Sequence, residues 1–152
     1  MKGMVLAIGT IVVAMSLSYG LGFASAASSS ATKVGTASSS LGQILVDSHG
    51  RTLYLFAKDK KGKSACSGAC AANWPPLLTK GAPKAGAGAK SSLLGTTRRS
   101  DGTTQVTYDK HPLYTFVADN RKRGSTKGEG LDAFGARWYV VAATGTEKTG
   151  SY

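Results

Sequence analysis

Acidic residues are scarce in this chain, and methionine is absent from everything beyond residue 15. Eight Asp and Glu face nineteen Lys and Arg. The three methionines are Met1, Met4 and Met15, so a chain trimmed downstream of them cannot build a thioether copper site. Cysteine and histidine number two each, Cys66 and Cys70, His49 and His111. Apart from the first fifteen residues there is no long apolar run. No nucleophile and base motif accompanies the carboxylates, which argues against a hydrolase. The segment 128–135, with Glu129 and Asp132 among glycines, resembles neither a twelve-residue calcium loop nor a phosphate loop.

What the chain does have begins at its start. Lys2 precedes an apolar core from Met4 to Met15, and Ala24-Ser25-Ala26 follows, the pattern of a secretory signal cleaved after Ala26. Ser16, Ser18, Tyr19 and Gly20 interrupt the apolar stretch, which falls short of the roughly 20 residues that a membrane span needs. No transmembrane segment is expected after cleavage. No Cys stands near the cleavage point to carry a lipid, so a secreted or extracytoplasmic location, in the periplasm or at the cell surface, is the expectation. Loss of residues 1–26 removes Lys2 and no acid, leaving 18 basic against 8 acidic side chains. Such a surplus suits an anionic cell-wall polymer or a membrane surface. Nucleic acid is not an expected partner, because export removes the usual target.

The remaining length, about 125 residues, suits one small domain. Residues 27–40 are small and polar and read as a flexible tether whose last part leads into a strand. The domain spans 41–143, with repeat one at about 43–78, a loop at 79–99 of linker composition, and repeat two at about 100–142; 144–152 reads as a frayed tail. Gln43–Asp47, a turn at 48–51 and Thr52–Ala57 predict a hairpin, and the same grammar returns at Thr104–Tyr108, Asp109–His111 and Pro112–Val117. A last strand is predicted over Arg137–Ala142. Leu-Tyr-x-Phe-x-x-Asp occurs twice without a gap, at Leu53–Asp59 and Leu113–Asp119. Each copy is followed by a basic loop and then a Trp, Trp74 or Trp138. The predicted fold is mostly β: two pseudo-repeated β-hairpin units in one small compact domain, with a short helical turn near the cysteine pair.

The duplicated Tyr-x4-Asp motif, the segment Cys66–Leu77, the stretch Gln105–Tyr108 and residues 111–114 and 120–141 together resemble the exported bacterial proteins often called secreted repeat proteins of unknown function, or predicted lipoproteins. The resemblance covers about residues 41 to 142 and implies export and the repeat, with no established activity to carry over. Many members carry a lipidated Cys after the signal, and this chain departs from them there.

Tyr54, Phe56 and Asp59, with Tyr114, Phe116 and Asp119, are the first candidates for a site. Alternation along a strand puts Tyr54 and Phe56 on one face, Leu53 and Leu55 on the other. The two Asp either accept backbone N–H groups in turns or form a carboxylate pair brought together by the pseudo-symmetry. Cys66 and Cys70, spaced C-x3-C, read as a disulfide in an oxidising compartment, since a helical turn brings residues four apart to about 6 Å. A redox-active dithiol or, with the two His, a metal site are the alternatives. No cofactor is expected, with metal or haem left open. Trp74, Trp138, His111, Lys60, Lys61, Arg121 and Arg123 are candidate binding residues. The function expected is a non-enzymatic envelope-binding module of unknown ligand; the alternative is a small redox or metal- or haem-handling protein using the Cys66 and Cys70 pair.

Overall fold

Two hairpins of one plan open the two halves of the molecule. The computed structural model describes residues 30–148, so the expected signal segment at 1–26, the first tether residues and the last four residues lie outside the described residues. β1 (Lys33–Ser39) and β2 (Gly42–Asp47) pair antiparallel, Val34 opposite Asp47 and Ser39 opposite Gly42. Ser39 closes the turn, its Oγ accepting the Leu41 N–H and donating to the Gly42 carbonyl, both at 3.0 Å. β3 (Tyr54–Phe56), the helical turn α1 (Ala69–Asn73) and β4 (Lys84–Ala85) follow. The second half holds β5 (Leu94–Arg98), β6 (Thr104–Tyr108), β7 (His111–Pro112), β8 (Asp132–Ala133), β9 (Ala136–Val141) and β10 (Glu147–Lys148). Asp109 and Lys110, both at positive φ, make the tight turn from β6 to β7. The strands form three small sheets, ordered β2-β1-β4, β10-β9-β3 with β8 on β9, and β5-β6-β7. No helix among the described residues is long and apolar enough to cross a membrane.

The mostly β fold with its helical turn beside the cysteines is the one the sequence predicts, but three boundaries need correction. The tether expected at 27–40 is strand over Lys33–Ser39. Val34 is fully buried, and the ladder to β2 supplies what the small side chains do not. The loop expected at 79–99 contains β4, which pairs parallel with β1, and β5, which pairs with β6. Its Gly and Ala residues permit close docking: the Thr36 N–H donates to the Ala87 carbonyl at 2.9 Å, and Gly88, at φ +77, leaves the Thr36 side chain space that a Cβ would occupy. The tail expected at 144–152 contributes β10, whose Glu147 and Lys148 sit opposite Val141 and Val140.

The halves are related by an approximate two-fold and exchange their closing strands. Tyr54 of the first half pairs with Val140 of the second, while Tyr114 of the second bridges to Pro76 of the first. The same exchange recurs one step away, Ile44 to Ala142 and Leu78 to Gln105. It recurs again in hydrogen bonds, from the Val141 N–H to Leu53 O at 3.1 Å and from the Leu77 N–H to Leu113 O at 2.9 Å. At the centre Tyr54 and Tyr114 trade both backbone bonds, at 2.8 and 3.0 Å. The strand alternation sorts the interior into two clusters: Leu53 and Leu55 with Leu45, Val106, Leu113 and Val141, and Tyr54 and Phe56 with Trp74, Tyr114 and Trp138.

Candidate functional site

The duplicated motif builds one continuous feature on the two-fold. Trp74 and Trp138 stack at 4.0 Å between ring centroids and 3° between planes. Phe56 stacks on the outer face of Trp138 at 4.0 Å and Phe116 on that of Trp74 at 4.0 Å, so four rings lie in a column. Tyr54 meets Trp74 edge-on at 5.3 Å and Tyr114 meets Trp138 at 5.0 Å, arrangements that the ring quadrupoles favour. Gly128 is required here, because a Cβ would fall 2.7 Å from Trp74 and 2.8 Å from Tyr54. Phe56 is buried, whereas Phe116 is only partly so.

Each tyrosine hydroxyl crosses to the aspartate of the other repeat. Tyr54 Oη donates to Asp119 Oδ2 at 2.7 Å and accepts the Gly128 N–H at 3.2 Å. Tyr114 Oη donates to Asp59 Oδ2 at 2.8 Å, with Ser64 Oγ also at 2.8 Å. The carboxylates are completed locally: Asp119 Oδ1 accepts from Ser125 Oγ at 2.6 Å and the Lys127 N–H at 3.1 Å, and Asp59 Oδ1 accepts from the Ala65 N–H at 2.7 Å. The two Asp share no hydrogen-bond partner, so the carboxylate pair considered from sequence is replaced by two separate Tyr–Asp links. Burial first, and the neighbouring carboxylate second, push both tyrosine pKa values well above their ordinary range. Burial also raises that of Asp59, against the Ala65 N–H and Tyr114 bonds that lower it. Both phenols therefore stay protonated at neutral pH and serve as donors.

Cys66 and Cys70 form a disulfide, Cα to Cα 5.3 Å, and both are buried. The bridge closes on α1, whose Cys70 carbonyl accepts the Trp74 N–H at 2.8 Å and so sets the first tryptophan of the column. Arg99 carries no signal in its sequence context that would single it out. It is buried, and its guanidinium donates to Cys66 O at 2.6 Å, Gln105 Oε1 at 2.7 Å and Ser64 Oγ at 2.9 Å. It ties the disulfide loop to β6. Among the described residues no three His, Cys, Asp or Glu side chains gather in metal-binding geometry. Lys60 and Lys61 project from the first basic loop and Arg121 and Arg123 from the second, all exposed.

Two equivalent grooves flank the ring column. One, a cleft of about 450 Å³, is lined by Arg51, Pro75, Phe116, Asp119, Asn120 and Arg121. The other, about 390 Å³, is lined by Phe56, Asp59 and His111 and walled by Thr146 and Glu147 of the β9–β10 connection and β10. Phe116 corresponds to Phe56, and Arg51 to His111. Arg51 also escaped the sequence reading. Buried Asp47 takes the His49 and Arg51 N–H groups on Oδ1, both at 2.9 Å, and Arg51 Nε on Oδ2 at 2.6 Å. The terminal guanidinium nitrogens make no hydrogen bond to the described residues.

The profile of a family described as a secreted repeat of unknown function matches residues 35–78 and 95–142. These are the two halves of the pseudo-two-fold, and each match begins within or at the edge of the hairpin that opens its half, β1 or β5. No curated protein and no solved structure matches the chain. With both copies matched over more than half its length, the chain belongs to the secreted-repeat family.

Proposed function

We propose that this secreted repeat protein is a non-enzymatic binding module of the extracytoplasmic envelope, and that its basic loops engage an anionic cell-wall polymer or membrane surface. The observation that carries this reading is a division of labour. The polar groups of the repeat motif are spent on internal Tyr–Asp links, while the cations from Lys58 to Lys63 and from Arg121 to Lys127 face solvent. A surface of one sign attracts polyanions through long-range forces that salt screens. The alternative of a redox or metal-handling centre on Cys66 and Cys70 has less support, since a bonded pair enclosed by the aromatic cluster offers no open sulfur.

Co-sedimentation with purified anionic wall polymer tests the proposal. Retention at low ionic strength should fall steeply as salt rises, and a neutral glucan of the same size should retain nothing. Salt-insensitive retention, or equal retention on the neutral polymer, would remove the charge-based reading.

A further inference from the structure

We infer that the open cleft between Arg51 and Arg121 is an oxyanion-binding site, built to take one phosphate or carboxylate group of an anionic chain lying against Phe116. The inference rests on the proposed envelope binding and names the site and chemistry through which it becomes specific.

Three observations converge on it. Asp47 anchors Arg51 through Nε, as described, which restricts the guanidinium and leaves its two terminal nitrogens without a hydrogen bond to the described residues, and Arg51 lines the cleft. An arginine held in this way loses little side-chain entropy on binding, and its two terminal nitrogens match the paired oxygens of a phosphate or carboxylate. Asp47 is buried and already accepts two backbone N–H groups, so its charge is directed inward. Arg121, exposed, also lining the cleft and at φ +59, supplies a second cation.

Secondly, part of the lining is apolar. Phe116 ends the four-ring column with part of its surface uncovered, and Pro75 lies beside it. A chain with apolar ring or backbone faces between its charges can rest there while its anionic group reaches the arginines.

Thirdly, each groove has the aspartate of its own repeat in the lining, Asp119 here and Asp59 there, and the other half adds a second carboxylate. There Glu147 of β10 walls the groove that contains His111, the positional counterpart of Arg51. The two grooves share their framework and differ in their basic residue and in the presence of the acidic strand. The Arg51 groove has the stronger cation and no second carboxylate, and its Asp119 is 5 % exposed with both oxygens already accepting from Tyr54, Ser125 and the Lys127 N–H.

The test is a nuclear magnetic resonance titration of the mature protein at low and at physiological salt, with two probes: an oligomer of glycerol phosphate and an oligouronate. Saturable shifts confined to Arg51, Thr115, Phe116 and Arg121 are expected with at least one probe. The stronger probe identifies phosphate or carboxylate as the natural group. Arg121→Gln should weaken that binding about tenfold with an unchanged thermal midpoint, and Lys60→Gln with Lys61→Gln by less than about threefold, as expected for a directed contact against diffuse charges. Because Arg51→Gln leaves Asp47 without its ion-pair partner, Arg121→Gln carries the test. Non-saturable shifts spread over both basic loops would overturn the cleft and leave the envelope proposal standing; no interaction with either probe, or with wall polymer, would overturn both.

Discussion

At the scale of single residues, the Tyr-x4-Asp motif acts by reaching across the molecule. Tyr54→Phe keeps the edge-on ring but strands Asp119 Oδ2 and the Gly128 N–H inside the protein. A buried polar group left without its partner costs about 1–3 kcal/mol, and equilibrium denaturation should show a loss in that range with little change in slope. The same links govern alkaline behaviour. The folded-state pKa of Tyr54 and of Tyr114 lies above the unfolded value near 10, so the folded protein holds these protons more tightly. Their contribution is intact below about pH 10 and is lost as pH rises beyond it, since only the unfolded chain then gains by ionising. Tyrosinate absorbance from these two residues should appear together with loss of the near-ultraviolet circular dichroism of the tryptophan pair. Early ionisation with that signal intact would contradict the buried links.

Among the elements, the disulfide and α1 act as a clamp on Trp74. Five residues from Cys66 to Cys70 close so short a loop that the entropic contribution is about 2 kcal/mol by the loop-length relation. Replacing both with Ser should lower the unfolding free energy by roughly that amount while envelope-polymer retention persists; loss of retention in a protein still folded would restore the cysteine pair as the working centre. The elements also show what the sequence could and could not reveal. The β2 and β6 strands were legible because Ile44, Leu45 and Val46, and Val106 and Tyr108, carry strong strand propensity beside turn residues. β1 and β5 were hidden: Lys33–Ser39 and Leu94–Arg98 are mainly Gly, Ser, Thr and Ala, and their state is imposed by the neighbouring ladder. The Arg51 cleft was equally hidden, because its arginine and its phenylalanine lie 65 positions apart and meet only through the strand exchange.

Considered whole, the molecule is two copies of one unit, each completed by the other. A fragment of residues 30–90 lacks the β9 partner of β3 and the Leu113 and Tyr114 partners of the segment 75–78; a fragment of 91–148 lacks the reciprocal set. Neither should give a cooperative unfolding transition alone, and an equimolar mixture should regain the stacked-tryptophan signal with an affinity set by the shared core. A fragment that folds unaided would contradict the exchange. The exchange also imposes an order in time. Ile44 and Leu53 receive backbone neighbours from Ala142 and Val141, nearly a hundred residues later. The first half therefore cannot be completed until the last strand is available, and its closure waits on contacts distant in sequence, which slow folding.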